Sequence, residues 1–472
     1  MTETGPIDKS KIARWTRPER VFAIFALIFG HALVLTIPPF QSADEPNHLL
    51  RAYEITEGVL IHRQVDARGI AAGYLPASLY QIWLPFSHLG FHLERRASVR
   101  VIRDVLRMPL NPGERILISF ANTAHYSPVC YLPQSMGIML GRLLGATPLE
   151  MLYLGRESNL LFWIVLGYWA MRSAPVISRP LLLILLMPMS LYVACSLSAD
   201  APTNAFAAAF TAMICSLISR KDIPVNLPRF LMLMVFSLAV CLCKFAYVPL
   251  LGLVLLIPAS RFGGRLRYAS QLAILVGACA AASVWASNST SLDTQLRMSD
   301  DFSARRQFQL VEQSPSHFAL VLLDTFHQRG WSFLQSYVGL IGWLDKYLPA
   351  VFIVSYLVVL ILACVPGEDA PTPPPVGRVV AIVVPFLALS FVGIALLDYL
   401  YWTPVGSTFI EGIHGRYLIP LSPAVALLLV SMMWRLRIRF RAKSLFLNLV
   451  TGIISLISCV YFWALVWNRY YG

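Results

Sequence analysis

Residues 21–37, VFAIFALIFGHALVLTI, form an apolar run that ends at a pair of prolines, and the polar stretch PPFQSADEPNH follows at residues 38–48. The run approaches the ~20 apolar residues that cross a bilayer as a helix. It lacks a small-residue cleavage site, so we interpret it as an uncleaved first span behind a basic tail at residues 1–20. The polar stretch brings Asp44, Glu45 and His48 to a helix end that faces water.

The composition places the whole chain among the polytopic membrane proteins. Of its 472 residues, 57% are hydrophobic and 13% are charged, whereas soluble domains carry roughly 25% charged residues. The net charge of +13 lies mainly in short loops between apolar runs, as membrane topology requires. No nucleic-acid-binding motif accompanies it, so we expect no nucleic-acid partner. The eight cysteines lack metal-site spacing and are interpreted as small buried hydrophobic residues.

Apolar runs along the chain predict an all-α protein with about eleven transmembrane helices. The runs cover residues 21–37, 152–171, 178–196, 203–219, 229–243, 246–260, 268–286, 349–365, 379–398, 417–434 and 446–467. A further run, Tyr126–Gly145, is interrupted by prolines, and counting it as a span would put the basic loops outside. These loops are Arg172/Arg179, Arg220/Lys221, Arg261/Arg265/Arg267 and Arg435–Lys443. The positive-inside rule favours eleven spans, with Tyr126–Gly145 along the outer interface.

This topology puts the N-terminus inside, the C-terminus outside, and a single transmembrane domain at residues 21–472. Three outer segments follow: a large first loop with interfacial helices at about 38–151, a second at about 287–348 and a third at about 399–416. The short runs 229–243 and 246–260 flank Lys244. Two full spans and one re-entrant hairpin both return the chain to the side from which it entered, so the topology is compatible with either arrangement.

Ionisable residues recur at the outer ends of the predicted helices. They are Asp44, Glu45, His48, Arg156, Asp200, Lys244, Lys346 and Arg416. Such groups are costly at membrane depth, and therefore usually face a cavity or a partner. Polar loop residues are the simpler interpretation of the first three. A structural alternative also exists for four of the others, namely Arg156, Asp200, Lys244 and Arg416.

Arg156 is interpreted equally well as the partner of its neighbour Glu157 in a structural ion pair. Asp200 is suited to capping the next helix, and Lys244 to snorkelling toward the interface. Arg416 would serve as an interfacial anchor, but the glycines around it allow a close backbone approach to a ligand. Because a guanidinium fork matches phosphate oxygens, phosphate binding is favoured there.

A set of motifs in a fixed order resembles one bacterial family over roughly Val21–Pro423. The motifs are Pro38-Pro39, Asp44-Glu45-Pro-Asn-His48, Arg51-Ala-Tyr, Tyr126-Ser-Pro, Tyr131-Leu-Pro-Gln, Leu154-Gly-Arg156, Ser198-Ala-Asp200, Gly342-Trp-Leu-Asp345 and Glu411-Gly…Gly415-Arg416-Tyr. The family is catalogued as domain of unknown function 2142, a set of predicted membrane proteins. It is similar in turn to the GT-C superfamily of integral-membrane glycosyltransferases, in its first-loop acidic pair, interfacial Tyr/Pro segment and helix count.

The resemblance implies transfer of a sugar from a polyprenyl-phosphate donor to a glycan or lipid acceptor. The reaction would take place on the outer face of the bacterial cytoplasmic membrane, in the synthesis of an envelope polysaccharide or glycolipid. Asp44 matches the superfamily's first-loop acid and would be the catalytic base, a role that Glu45 could exchange with it. Carboxylates suit Mg²⁺ or Mn²⁺, so a divalent cation at Asp44, Glu45 and His48 remains a possibility.

The donor phosphate requires cations where negative charge develops on the leaving group. Arg416 and Lys244 are the first candidates for this contact, with Arg156 or Lys346 in reserve. His48 and Asp200 complete the substrate-binding candidates.

A transporter or flippase of a lipid-linked or anionic substrate is the alternative from another class, because broken helices and buried charges occur there too. No inverted repeat is found, and outer loops of this size suit an enzyme better. A polysaccharide polymerase or ligase would share the donor type.

Overall fold

The computed structural model describes residues 14–219, 224–289 and 302–472. Most of the basic tail, the Arg220/Lys221 loop and part of the second outer segment lie outside the described residues. The described chain is mainly helical. Its α-helices are α1 (Pro18–Thr36), α2 (Glu45–Thr56), α3 (Ala77–Gln81), α4 (Val99–Val105), α5 (Ala121–Ala124), α6 (Leu132–Leu143), α7 (Pro148–Ser173), α8 (Ser178–Leu186), α9 (Pro188–Ala194), α10 (Asp200–Ser219), α11 (Leu227–Cys243), α12 (Arg265–Ser289), α13 (Ala304–Gln313), α14 (Pro315–Val338), α15 (Ala350–Ala363), α16 (Val376–Tyr401), α17 (Ser422–Arg435) and α18 (Ser444–Tyr470).

Short 3-10 helices and two small antiparallel hairpins complete the fold. The 3-10 helices cover Leu84–Leu89, Pro128–Tyr131, Pro175–Ile177, Phe245–Leu256, Ala259–Phe262 and Gly415–Leu421. Strand β1 (Ala72–Pro76) pairs with β2 (Arg115–Ser119), and β3 (Leu340–Ile341) pairs with β4 (Lys346–Tyr347). In the first hairpin Ala72 lies opposite Ser119, so the pairing of β1 with β2 closes residues 77–114 into a loop.

Helix length and apolarity support six membrane spans among the described residues, namely α1, α10, α12, α16, α18 and the segment Gly415–Arg435. Counting α7 with Pro175–Leu186, which bend by 104° at their junction, as one broken span gives seven. Each of the eleven predicted runs falls on helical structure, but α11, Phe245–Leu256 and α15 are short. The protein is therefore a multi-pass helical membrane protein, and helix length alone does not establish eleven crossings.

Helix α10 lies at the centre of the bundle, and 89% of its apolar 18-residue segment is buried. Its sequence is rich in alanine, and small side chains let neighbouring helices approach closely within a membrane. It packs against α7, α11 and the 3-10 helix at Gly415–Leu421. The first residue of this central helix is Asp200, so the helix carries a carboxylate to one end of the bundle.

The C-terminus lies at the same end of the bundle as the first outer loop. The Ala97 amide donates to the Tyr470 carbonyl at 2.8 Å, and Arg469 donates to the carbonyl of Arg95 at 3.0 Å. We call this the loop-rich end. These contacts agree with the predicted placement of the C-terminus beside the loop at 38–151.

The opposite end, which we call the basic end, gathers three loops. The Phe440 amide donates to the Pro366 carbonyl at 3.0 Å, and Arg179 donates to the Val365 carbonyl at 2.8 Å. Arg17 and Arg172 line one cavity of about 300 Å³ there. Because these loops include Arg172, Arg179 and the basic run Arg435–Lys443, their shared face matches the arrangement that the positive-inside rule requires.

The hairpin formed by α11 and Phe245–Leu256 extends along the whole of α10. Lys244, at the turn, contacts Asp200 at the first residue of α10, with 2.5 Å between Nζ and Oδ1. At the other end, Arg261 donates to the carbonyl of Ile218 at 3.4 Å. At rises of about 1.5 and 2.0 Å per residue, the two arms are each about 25 Å long. This length favours two crossings over a re-entrant hairpin.

Helix α6 occupies most of the ambiguous run Tyr126–Gly145. Its 12 residues extend about 18 Å, well short of a bilayer's ~30 Å hydrocarbon core. It packs tightly on α7, since a Cβ on Gly137 would lie 2.2 Å from the Leu154 carbonyl oxygen. Met136, Leu140 and other apolar side chains on its far side are exposed. An apolar face on a short helix suits the predicted interfacial position.

Candidate functional site

Four ionisable residues from separate segments meet at the loop-rich end. Asp44 precedes α2, Asp200 begins α10, Lys244 follows α11, and Arg416 lies at the start of the 3-10 helix Gly415–Leu421. We call these four residues the ion cluster. All four were predicted from the sequence as candidate site residues, and the fold brings them together across more than 370 positions of chain.

Asp200 bridges the two cations of the ion cluster. Lys244 Nζ lies 2.5 Å from Oδ1, and Arg416 Nε lies 3.6 Å from Oδ2. The side chains of all three residues are at most 16% exposed. The Arg416 Nε atom is buried and makes no hydrogen bond within the described part of the chain. Two cations therefore face one bridging carboxylate. Arg416 Nε contacts it only as an ion pair, without a hydrogen bond, so this N–H can still donate to an anion.

Aromatic rings surround the two cations. Lys244 Nζ lies 5.3 Å from the ring centroid of Tyr126 and 5.0 Å from that of Tyr417. The guanidinium of Arg416 lies 5.3 Å from the Tyr417 ring, and the Tyr247 hydroxyl donates to the Tyr417 carbonyl at 2.9 Å. Cations over aromatic faces are stabilised when water is excluded. The rings thus hold both cations in place, and simple snorkelling does not describe Lys244.

Asp44 is held so that one carboxylate oxygen remains available. The Asn122 side-chain amide donates to Asp44 Oδ1 at 2.8 Å, and that of Asn47 donates to Asn122 Oδ1 at 2.5 Å. No hydrogen bond to Oδ2 is found among the described residues. Asp44 has φ 60°, as an uncommon left-handed residue, and Phe40 in the same turn has φ 64°. Such backbone conformations cluster at ligand sites.

Burial and neighbouring charges set the proton affinity of Asp44. Burial raises the pKa of its carboxyl above the ordinary range; Arg416 opposes the shift, and Asp200 adds to it. Asn122 stabilises the charged form through its hydrogen bond. A carboxylate whose pKa moves toward neutrality is a better general base. Asp44 is therefore suited to accept a proton beside two cations.

His48 lies beside the ion cluster and is paired with Tyr131. Its Nδ1 is 2.6 Å from the Tyr131 hydroxyl, and both rings are buried. Burial lowers the pKa of His48 to about 3, so the imidazole is neutral at physiological pH. Its electrostatic interactions with Asp200, Lys244 and Arg416 place it next to the cluster. A neutral imidazole can form hydrogen bonds to a ligand, but it adds no charge.

Glu45 and Arg156 form a separate, fully buried ion pair. Arg156 Nε lies 2.8 Å from Oε1, and Nη2 lies 2.5 Å from Oε2. Glu45 also accepts from the amides of Phe40 and Leu197. With both carboxylate oxygens engaged and neither side chain exposed, this geometry suits a structural pair. It does not favour the predicted catalytic exchange of Glu45 with Asp44, or Arg156 as a reserve phosphate ligand.

A family model described as "Predicted membrane protein (DUF2142)" matches residues 27–425. The chain belongs to this family. The match includes every member of the ion cluster, as well as His48 and Asn122. No curated protein and no solved structure gives a significant match.

Lys346 lies apart from the ion cluster of this DUF2142 chain, and the possible cation site is not assembled within the described residues. Lys346 is exposed on β4, and no contact with the ion cluster is found among the described residues. Within that same part of the chain, no group of three or more His, Cys, Asp or Glu side chains has metal-binding geometry. Glu45 turns toward Arg156, and His48 toward Tyr131. The geometry therefore does not favour the possible divalent-cation site at Asp44, Glu45 and His48, because Glu45 and His48 turn to other partners.

Sequence reasoning missed two polar residues at the site of this DUF2142 protein. Asn122 comes from the four-residue helix α5, and Asp398 lies in the last turn of α16. A lone asparagine in a loop and a lone aspartate ending an apolar run form no recognisable spacing. For Asp398, its position at the outer end of a predicted span was the available signal.

Removing the Asn122 amide is expected to shift the pH dependence of Asp44. Because the amide stabilises the charged carboxylate, Asn122→Ala should raise the pKa of Asp44 further. The acid limb of any activity that needs the Asp44 carboxylate should then move to higher pH. The measurement is a pH–rate profile, with the exposed Asn111→Ala as control. An unchanged acid limb in Asn122→Ala would show that this hydrogen bond does not tune Asp44.

Proposed function

We propose that this protein is a membrane glycosyltransferase that moves a sugar from a polyprenyl-phosphate donor to a glycan or lipid acceptor. The observation that supports it best is the pairing, at the loop-rich end, of the available Asp44 oxygen with two ring-enclosed cations. A base and an anion-binding pair are the two groups that transfer from a lipid phosphate requires. The proposed place of reaction is the outer face of a bacterial cytoplasmic membrane.

In the proposed reaction, Asp44 accepts the proton of an acceptor hydroxyl. The hydroxyl oxygen attacks the anomeric carbon of the donor sugar, and the bond from that carbon to the phosphate oxygen breaks. The electron pair leaves with the polyprenyl phosphate, whose developing negative charge Arg416 and Lys244 stabilise. Lys244 and Arg416 carry two positive charges against one each on Asp200 and Asp44, so the cluster is balanced overall, and its two cations stabilise the phosphate where they contact it.

The proposed topology has eleven spans, with the ion cluster outside. It is supported by the contacts that gather the basic loops at one end and the C-terminus and first loop at the other. The length of the α11 hairpin beside α10 supports two crossings there. The cluster then lies where a lipid-linked donor in the outer leaflet presents its phosphate.

Membrane-impermeant labelling of single introduced cysteines tests this topology. All eight native cysteines are buried, so the background should be low. We expect Arg103→Cys to be labelled on intact spheroplasts, and Arg172→Cys only after the membrane is permeabilised; both positions are exposed. Labelling of Arg172→Cys from the outside would contradict the proposed orientation.

Arg416 is expected to hold the donor phosphate through its planar guanidinium. Arg416→Ala should weaken the transfer step by about 2–4 kcal/mol, comparable to the loss of one transition-state donor. Arg416→Lys keeps the charge but loses the fork, so part of the activity should remain. Donor affinity and turnover are measured for both variants, with the exposed Arg103→Ala as control. Normal binding and turnover in Arg416→Ala would make Arg416 an interfacial anchor only.

A further inference from the structure

Asp398 is a buried carboxylate with an unused oxygen beside the ion cluster. It lies in the last turn of α16 with only 8% of the residue exposed. Its Oδ2 atom is buried and makes no hydrogen bond within the described residues. Thr403 donates to its main-chain carbonyl at 3.0 Å, which fixes the helix end but leaves the carboxylate free. Most buried polar groups are hydrogen-bonded, so this carboxylate calls for an explanation.

The surroundings of Asp398 are those of the candidate site. Its charge interacts with those of Lys244 and Arg416, and it also interacts with the side chains of Tyr247 and Tyr417. These are the same rings and cations that form the aromatic enclosure around the ion cluster. Asp398 is therefore part of the same polar region, on the side that α16 contributes.

Arg416 Nε and Asp398 Oδ2 are a buried donor and a buried acceptor that both lack hydrogen bonds in the described structure. They do not bond each other. A ligand that presents an anionic oxygen to the first and a hydroxyl to the second would complete both. A phosphate ester of a polyol has these two groups side by side.

We propose that Asp398 binds a hydroxyl group of the donor's sugar and so helps to determine which sugar is accepted. This inference rests on the proposed transferase function and adds a recognition residue to it. The carboxylate accepts a hydrogen bond from the sugar hydroxyl, while Arg416 contacts the phosphate to which that sugar is attached. A site built to pair with a substrate hydroxyl discriminates strongly against ligands that lack one, because its buried polar group is then left unpaired.

Binding of the bare lipid phosphate is compared with binding of lipids that carry a sugar, because these probes differ only in the sugar. The probes are polyprenyl phosphate without a sugar, and a panel of polyprenyl phosphates carrying glucose, galactose, mannose or arabinose. Full-length wild type, Asp398→Asn, Asp398→Ala and the exposed control Asp104→Asn are compared in lipid nanodiscs. Affinity is followed by native mass spectrometry, and folding by thermal unfolding.

We expect both Asp398 variants to bind the preferred sugar-bearing lipid at least tenfold more weakly, and the bare lipid phosphate within twofold of wild type. Equal changes for both lipids would overturn the inference, because they indicate that Asp398 acts only through the charges of Lys244 and Arg416. Unchanged binding of both would overturn it too. If wild type binds neither lipid, the proposed transferase function fails along with the inference. If Asp398→Ala unfolds, Asp398→Asn decides, since the amide keeps the shape of the side chain.

Discussion

Replacing Asp44 with asparagine is expected to abolish sugar transfer while the protein still folds and inserts. The amide keeps the shape of the side chain, but it cannot accept a proton at neutral pH. Loss of a general base lowers a rate by about 10²–10⁴-fold. The Asn122 contact to the altered Oδ1 position is the local hydrogen bond at stake, so folding should be little affected. The measurement is turnover of a polyprenyl-phosphate sugar by purified variants.

Two comparisons make the Asp44 result specific. Asp104→Asn removes an exposed carboxylate from α4 in the same loop, and it should transfer like wild type. Glu45→Gln disturbs the buried pair with Arg156, and should act through stability. Full activity in Asp44→Asn would remove Asp44 from the base role. A selective loss in folded Glu45→Gln would assign that role to Glu45 instead.

Breaking the Glu45–Arg156 pair is expected to destabilise the fold by about 3–5 kcal/mol, as removal of one partner leaves a buried charge unpaired. Arg156 also donates to the carbonyls of Val34, Ile37 and Pro38. The first of these carbonyls lies in the last turn of α1 and the other two directly follow the helix, where helical partners are missing. Arg156 therefore joins the end of α1 to the start of α2, and this connection positions the turn that carries Asp44.

Thermal unfolding in detergent measures this effect on Arg156→Ala, with the exposed Arg172→Ala as the matched control on the same helix. Combined replacement by Glu45→Leu and Arg156→Met should recover part of the stability, because no charge then remains buried. If Arg156→Ala unfolds like wild type, the pair does not hold this turn together.

The sequence was enough to predict the helical membrane class, the positions of the apolar runs and the members of the ion cluster. The sequence did not predict the partners of Arg156 and Glu157. Neighbouring residues on a helix point in different directions, so Arg156 turns inward to Glu45, while Glu157 lies 2.7 Å from His31. The pairing of Glu45 with Arg156, which are 111 positions apart, depends on how α1 packs against α7. The spacing of neighbouring residues in the sequence does not predict that packing.

For Asp200, the sequence indicated two roles but could not decide between them. Its position at the start of a helix suited both an N-cap and a site residue, and these interpretations differ only in where the carboxylate points. The structure directs it to Lys244 and Arg416, two residues from later segments. The sequence also left the number of membrane spans open, because it did not reveal the 3-10 geometry of Phe245–Leu256. In this geometry 12 residues extend farther than they would in an α-helix.

Transfer by the ion cluster is tested most directly with a polyprenyl-phosphate donor whose sugar is radiolabelled. The donor is given to purified protein in vesicles together with an envelope lipid extract as acceptor. We expect wild type to release free polyprenyl phosphate and to move the label into acceptor, and Asp44→Asn to do neither. Donor that crosses the bilayer with its sugar still attached, at the same rate in wild type and Asp44→Asn and without release of lipid phosphate, would contradict transfer and indicate a flippase.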